Sequence, residues 1–202
     1  MPINERIRGY LPVVIDIETS GFNHKTDAML EICAVIIGID NAGKLYPKEP
    51  EHFHIEPFKG ANLEPAALKF NGIDVDNPLR GAIDEKLALS AMFKAIRNEM
   101  KTEECTRSIL IGHNAFFDLG FLYAASERSK LKNPFHQFST IDTVSLSALA
   151  FGETVLAKAI AKAGIEFDNA QAHSALYDTI KTAELFCQIF NDFEFHSHQK
   201  TD

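Results

Sequence analysis

Residues 11–22 read LPVVIDIETSGF, and residues 30–39 read LEICAVIIGI. Both are apolar runs with β-branched residues. They predict two buried strands, with the polar loop Thr19 to Asp27 between them. The first run carries two acids, Asp16 and Glu18. An unpaired carboxylate is expensive to take out of water, so acids alternating through a buried strand call for a compensating charge, and a metal ion suits them. Side chains two apart on a strand share a face, so the two carboxylates point together and raise each other's pKa unless a cation lies between them. The bland alternative is a strand end that solvates both acids as it emerges into its loop.

The rest of the chain alternates. Asp40 to Gly43 predicts a turn, and His52 to Glu56 (HFHIE) alternates as the third strand of a meander. Helical spacing predicts helices at Glu64–Phe70, Ile83–Met100, Phe116–Arg128, Thr143–Phe151, Val155–Ala163 and Ser174–Phe190, with strands at Arg107–Gly112 and Ser139–Asp142. Strands come first and helices alternate with strands afterward. That order predicts an α/β fold, a mixed central sheet flanked by helices.

At 202 residues with no Pro/Gly/Ser-rich linker, the chain reads as one domain over residues 1–195, with a flexible tail at 196–202. Cys33, Cys105 and Cys187 are an odd number with no CxxC pair, which suits a reducing cytoplasm and offers no zinc site. The first residues lack the pattern of a secretory signal, and the apolar run Ile32 to Ile39 is far below the ~20 residues needed to cross a bilayer. A soluble, cytoplasmic protein is expected. The net charge of −8 does not exclude a nucleic-acid partner, because counter-ion release depends on local Lys and Arg.

Three further acids and a histidine stand out. Asp118, in GHNAFFDLGFL, sits where a strand gives way to a helix, a position that a capping acid also fills. His173 and Asp178, in AHSALYD, lie five apart, about 140° around a regular helix, so they converge only if the histidine precedes the helix start. Asp142, between a strand and a helix, is sufficiently explained as an N-cap.

Taken together, DIETSGF, HNAFFD and HSALYD resemble the three exonuclease motifs of the DEDDh family, in order and at strand end, helix start and final helix. Similarity to the RNA-trimming branch of that family extends through RGYLPVVIDIETSGFN, GANL, FNGI, NPLRGA, NPFH and DNAQAHSALYDT. The resemblance implies a ribonuclease H-like fold, a homodimer, and trimming of tRNA and other structured RNAs from the 3′ end, with single-stranded DNA 3′ ends as a further substrate. It also implies that Asp16, Glu18, Asp118 and Asp178 hold two Mg²⁺ per subunit, with Mn²⁺ as an alternative, while His173 is the general base. Two cations about 3.5–4 Å apart clamp the attacking and leaving oxygens of such a displacement.

The chain has 16 Phe and no Trp, so most of its Phe must be core. The resemblance assigns base stacking to Phe22, Phe70, Phe117 and Phe138, and a basic patch serving the partner subunit's active site to Arg6, Arg8, Arg107, Lys130 and Lys132. Two departures stand out. Ala66 occupies a helix position where relatives are expected to carry a glutamate, which removes a base-reading carboxylate that Glu64 does not readily replace. The order AFFD, where asparagine more often precedes FD, is expected to alter packing rather than chemistry. The alternatives are another DEDDh exonuclease, such as a DNA proofreading subunit or an oligoribonuclease, and an inactive RNA-binding module.

Overall fold

A computed structural model of the chain describes residues 2–168, 170–172 and 174–193. The two apolar runs form its longest strands, β1 (Tyr10–Thr19) and β2 (Met29–Ile39), paired antiparallel from Val13–Ile36 to Glu18–Glu31. β3 (Leu45–Pro47) and β4 (Glu51–His54) both pair antiparallel with β2, β3 at its end and β4 at its beginning. On the other side of β1 lie β5 (Arg107–Gly112) and β6 (Phe135–Asp142), both parallel. The spatial order is β3-β2-β1-β5-β6, a mixed sheet.

Alternation along β1 decides what each face meets. Val13, Ile15 and Ile17 join Leu89, Met92 and Phe93 of α3 (Glu85–Thr102) and Leu119, Phe121 and Leu122 of α4 (Ala115–Ser129). Val14 points the opposite way and, with Val35, Ile37 and Ile111, meets Ala183, Phe186 and Cys187 of α7 (Ala175–Asp192). Such side chains stabilise by about 1.5–3 kcal/mol each when fully buried. Asp16 and Glu18 continue the Val14 row, so the pleat that buries the core also delivers both acids to the α7 side.

The expected mixed sheet with flanking helices is present, with differences at its margins. A short helix α1 (Ile3–Arg6) and the strand β3 were not expected, and β6 starts four residues before Ser139. α2 (Pro65–Asn71) ends at Gly72, whose φ of 69° is left-handed. A second apolar segment, interrupted by polar residues, follows β6. Thr143–Lys162 has the length and composition of a membrane span, yet it folds as two helices, α5 (Thr143–Phe151) and α6 (Leu156–Lys162), broken at left-handed Gly152. Ala159 and Ile160 of α6 pack on Leu185 of α7.

Candidate active site

Three of the expected carboxylates converge. Asp16 and Glu18 on β1 and Asp178 in the first turn of α7 place one carboxylate oxygen each within 4.8 Å of one another. Asp118, in the first turn of α4 and buried, stands beside them, with Asp16 and Glu18 as its charged neighbours. His173 lies outside the described residues, as does the tail 196–202.

Crowding and burying these acids opposes their ionisation. Burial first, then the charges of Asp178 and Glu31, push the Asp16 carboxyl up to about 8. Burial and the charges of Asp16, Glu31 and Asp178 push Glu18 up to about 9, opposed by a hydrogen bond from Asn71. Asp118 is raised well above the usual carboxylate range by burial and by Asp16. An all-oxygen donor set strained by its own charge fits a hard divalent cation, which removes both the repulsion and the need for protons.

The surrounding scaffold is built from short polar links. Asp142 accepts from Val144 N–H at the start of its own helix, and also from the amides of Asn114 (3.2 Å) and Ala115 (3.1 Å) that open α4. It is therefore the expected cap, and it also fixes the helix that carries Asp118. His113 has both ring nitrogens engaged, with Thr143 Oγ1 and with the Thr154 carbonyl, which makes it a strut between segments. In the loop after β1, Asp27 accepts from Asn23 N–H, Thr26 Oγ1 and Asn62 Nδ2. A Cβ on Gly21 would stand 2.1 Å from Asp27 Oδ2, so only glycine lets this loop close beneath Phe22.

Phe22, Phe70 and Phe117 come together. With Ile17, Glu18, Thr19, Gly21, Ala66, Ala67 and Asn71 they line a cavity of about 350 Å³ that opens beside Glu18. Phe22 is 88% exposed and Phe70 69% exposed, a cost in water that a packing role does not explain. Phe117 is partly buried, edge-on to Phe22 at 6.2 Å and tilted on Phe121 at 5.0 Å. Phe138 lines a neighbouring groove with His24, Lys25 and Phe116 rather than this cavity. Phe116 is 80% exposed, so the AFFD order changes the surface and not the packing that was expected.

The basic residues lie elsewhere. Arg107 pairs with Tyr10 at the start of the parallel strands, and Arg6 and Arg8 immediately precede that end. Lys130 and Lys132 follow the end of α4 and lead to Phe135, which pairs with Ser108 at the same end. The six residue steps from Tyr10 to Asp16 span about 20 Å at ~3.3 Å per step. The structure thus separates the basic residues from the carboxylates of their own chain.

The exonuclease family profile matches residues 13–186, which contain all five expected catalytic positions. The chain belongs to the ribonuclease T family of exonucleases. It is 59% identical to ribonuclease T of Vibrio parahaemolyticus over 196 residues, covering 96% of this chain and 92% of that one. Ribonuclease T of Photorhabdus laumondii is 60% identical over 190 residues, 94% of this chain and 88% of that one. Among solved structures, a nuclease domain described as a DEDDh family member bound to rAMP superposes with a TM-score of 0.66 at 18% identity, covering 90% of this chain and 92% of that one. That likeness confirms the exonuclease fold. Membership of the ribonuclease T family makes the chain a phosphodiester hydrolase that uses divalent metal and acts on nucleic acid.

Two residues at this family site escaped the sequence reading. Asn71, at the end of α2, hydrogen-bonds to Glu18 and donates to the Thr19 carbonyl (3.0 Å). Glu31, buried on β2, faces Glu18 across the strand pair. Neither has a local signal, because both act through pairings made only on folding.

Proposed function

We propose that this chain is a 3′-to-5′ exoribonuclease that trims the 3′ ends of tRNA and other structured RNAs, releasing nucleoside 5′-monophosphates, and also acts on single-stranded DNA 3′ ends. The observation that carries this reading is the meeting of Asp16, Glu18 and Asp178 within 4.8 Å beside a cavity walled by Phe22, Phe70 and Phe117. Exposed rings next to a carboxylate cluster suit the last bases of a single strand, where each stacking contact is worth about 1–3 kcal/mol.

Asp16, Glu18, Asp118 and Asp178 would hold two Mg²⁺ ions, with Mn²⁺ as the alternative, and the ions supply charge neutralisation of the attacking and leaving oxygens. His173 accepts the proton of the attacking water, a role typically contributing about 10²–10⁴-fold. The aromatic cavity holds and orients the terminal base, so the scissile phosphate lies against the carboxylates.

The reading includes a homodimer of one-domain subunits, residues 1–195, working in the cytoplasm, where Cys33, Cys105 and Cys187 stay as the free thiols they are here. Arg6, Arg8, Arg107, Lys130 and Lys132, at the far end of the sheet from the carboxylates of their own chain, would grip RNA for the active site of the partner. A local basic field of this kind gives an acidic protein its RNA affinity.

The test is product analysis of a 5′-labelled RNA hairpin with a short single-stranded 3′ end, with Mg²⁺ and an Asp118→Ala control. Stepwise shortening that halts near the duplex, absent in the control, is expected. Tight binding without shortening would replace the enzyme reading with the binding module. Arg107→Glu should slow hairpin trimming while leaving cleavage of short oligonucleotides intact, and equal loss on both substrates would refute the partner-serving patch.

A further inference from the structure

We propose that Glu31, His52 and His54 form a second cation site, separate from the catalytic carboxylates, that takes a transition-metal ion of the Zn²⁺ class. One ligand atom from each of the three lies within 4.8 Å of the others. The grouping is built into the backbone register. His52 and His54 are two apart on β4 and share a face, Glu31 pairs directly with His54, and Cys33 pairs with His52. His52 Nε2 is 2.7 Å from Glu31 Oε1, and the two imidazole rings stand edge-on at 4.8 Å. Glu31 is buried and both histidines are half-buried, so a carboxylate anchors the floor and the rings form the mouth.

The donor set selects the ion. Two imidazoles and one carboxylate with a fourth position open is a zinc arrangement, whereas Mg²⁺ prefers oxygen alone. Zinc bonds of about 2.0–2.1 Å place tetrahedral ligands about 3.4 Å apart, which small ring rotations reach from these positions. The ion takes the place of the proton in the His52–Glu31 hydrogen bond, and that proton leaves to solvent. The ionisable neighbours of this group are Asp16 and Glu18 on one side and Arg80 on the other. Arg80 is occupied in clamping the strands, donating to the carbonyls of Leu30 (2.9 Å) and Ile55 (3.4 Å).

Because Glu31 is the cross-strand neighbour of Glu18, a cation held there lowers the negative potential at the catalytic carboxylates. The two sites therefore oppose each other, and the opposition is reciprocal.

The experiment is equilibrium dialysis of the full-length protein against Zn²⁺ with excess Mg²⁺, on wild type and on an Asp16→Asn/Glu18→Gln variant that cripples the catalytic site. Histidine side-chain NMR resonances are followed in parallel. One bound Zn²⁺ is expected in the crippled variant, with the His52 and His54 resonances shifting together. His54→Gln and Glu31→Gln, each checked for fold by circular dichroism, should weaken it at least tenfold. No Zn²⁺ in the crippled variant, unmoved His52 and His54 resonances, or retention of the ion in folded His54→Gln would each overturn the proposal.

Discussion

Glu18 on β1 and Glu31 on β2 are directly paired across an antiparallel ladder, two acids at a position where like charges repel. Burial, with this repulsion added to it, pushes the Glu18 carboxyl up to about 9 and Asp16 up to about 8. In the metal-free fold these groups keep protons that the unfolded chain releases near pH 4. The unfolded state then binds fewer protons, so stability is fully present below about pH 4 and declines as pH rises through 8 to 9. Thermal melts of chelator-treated protein should give a falling Tm from pH 5 to pH 9. Added Mg²⁺ should raise Tm more at pH 8.5 than at pH 6. A flat profile with equal Mg²⁺ shifts would count against this strain.

The same strain makes a catalytic residue destabilising. Glu18→Gln removes the carboxyl, and with it the cost of holding a proton there at pH 8, and keeps its volume and a hydrogen-bond partner for Asn71. Its metal-free Tm at pH 8 should exceed that of wild type, by about 2–4 °C for each 1 kcal/mol relieved in a chain of this size. Its hydrolytic activity should be lost. A lower Tm would mean that Glu18 supports the fold through contacts other than charge.

Phe22 and Phe70 are exposed, whereas Phe117 packs against the core through Phe121. Truncating either exposed ring to alanine should cost about 1–3 kcal/mol of single-strand binding, with Tm unchanged within about 1–2 °C, as for a surface substitution. Phe117→Ala should lose both binding and stability. Fluorescence anisotropy with a short oligonucleotide, beside thermal melts, separates the two patterns.

Asp142 tests how far positioning reaches. Its carboxylate holds the first amides of α4 and α5, so Asp142→Ala should cost about 0.5–2 kcal/mol of stability and lower kcat through displacement of Asp118. Asp142→Asn keeps one acceptor and should recover part of both. Recovery of stability without recovery of kcat would show that Asp142 does more than hold the helix.

Much of this was legible before folding. LPVVIDIET and LEICAVIIGI announce two buried strands because their periodicity is long, and the acids at 16 and 18 stand out against it. α1 and β3, only four and three residues long, give no period to read, and β6 extends back to Phe135 because β5 pairs with it. Glu31 looked like one more residue of a buried run, and HFHIE looked like simple alternation. Their juxtaposition depends on the β2–β4 register, which sequence spacing does not encode.

Ala66 lines the aromatic cavity, and Glu64 is held outside it, accepting from Asn62 Nδ2 at 3.0 Å. The pocket therefore presents no carboxylate at that wall. A glutamate reads cytosine by accepting from its N4 amino group, and a contact that fixes the base in an unproductive pose slows release of that nucleotide. Wild type should thus trim RNAs ending in cytosine and adenine at similar rates, whereas Ala66→Glu should slow cytosine-ended RNA selectively. Single-turnover assays on matched oligonucleotides differing only in the last base decide it. Strong discrimination against cytosine in wild type would show that another group, beyond this wall, reads the base.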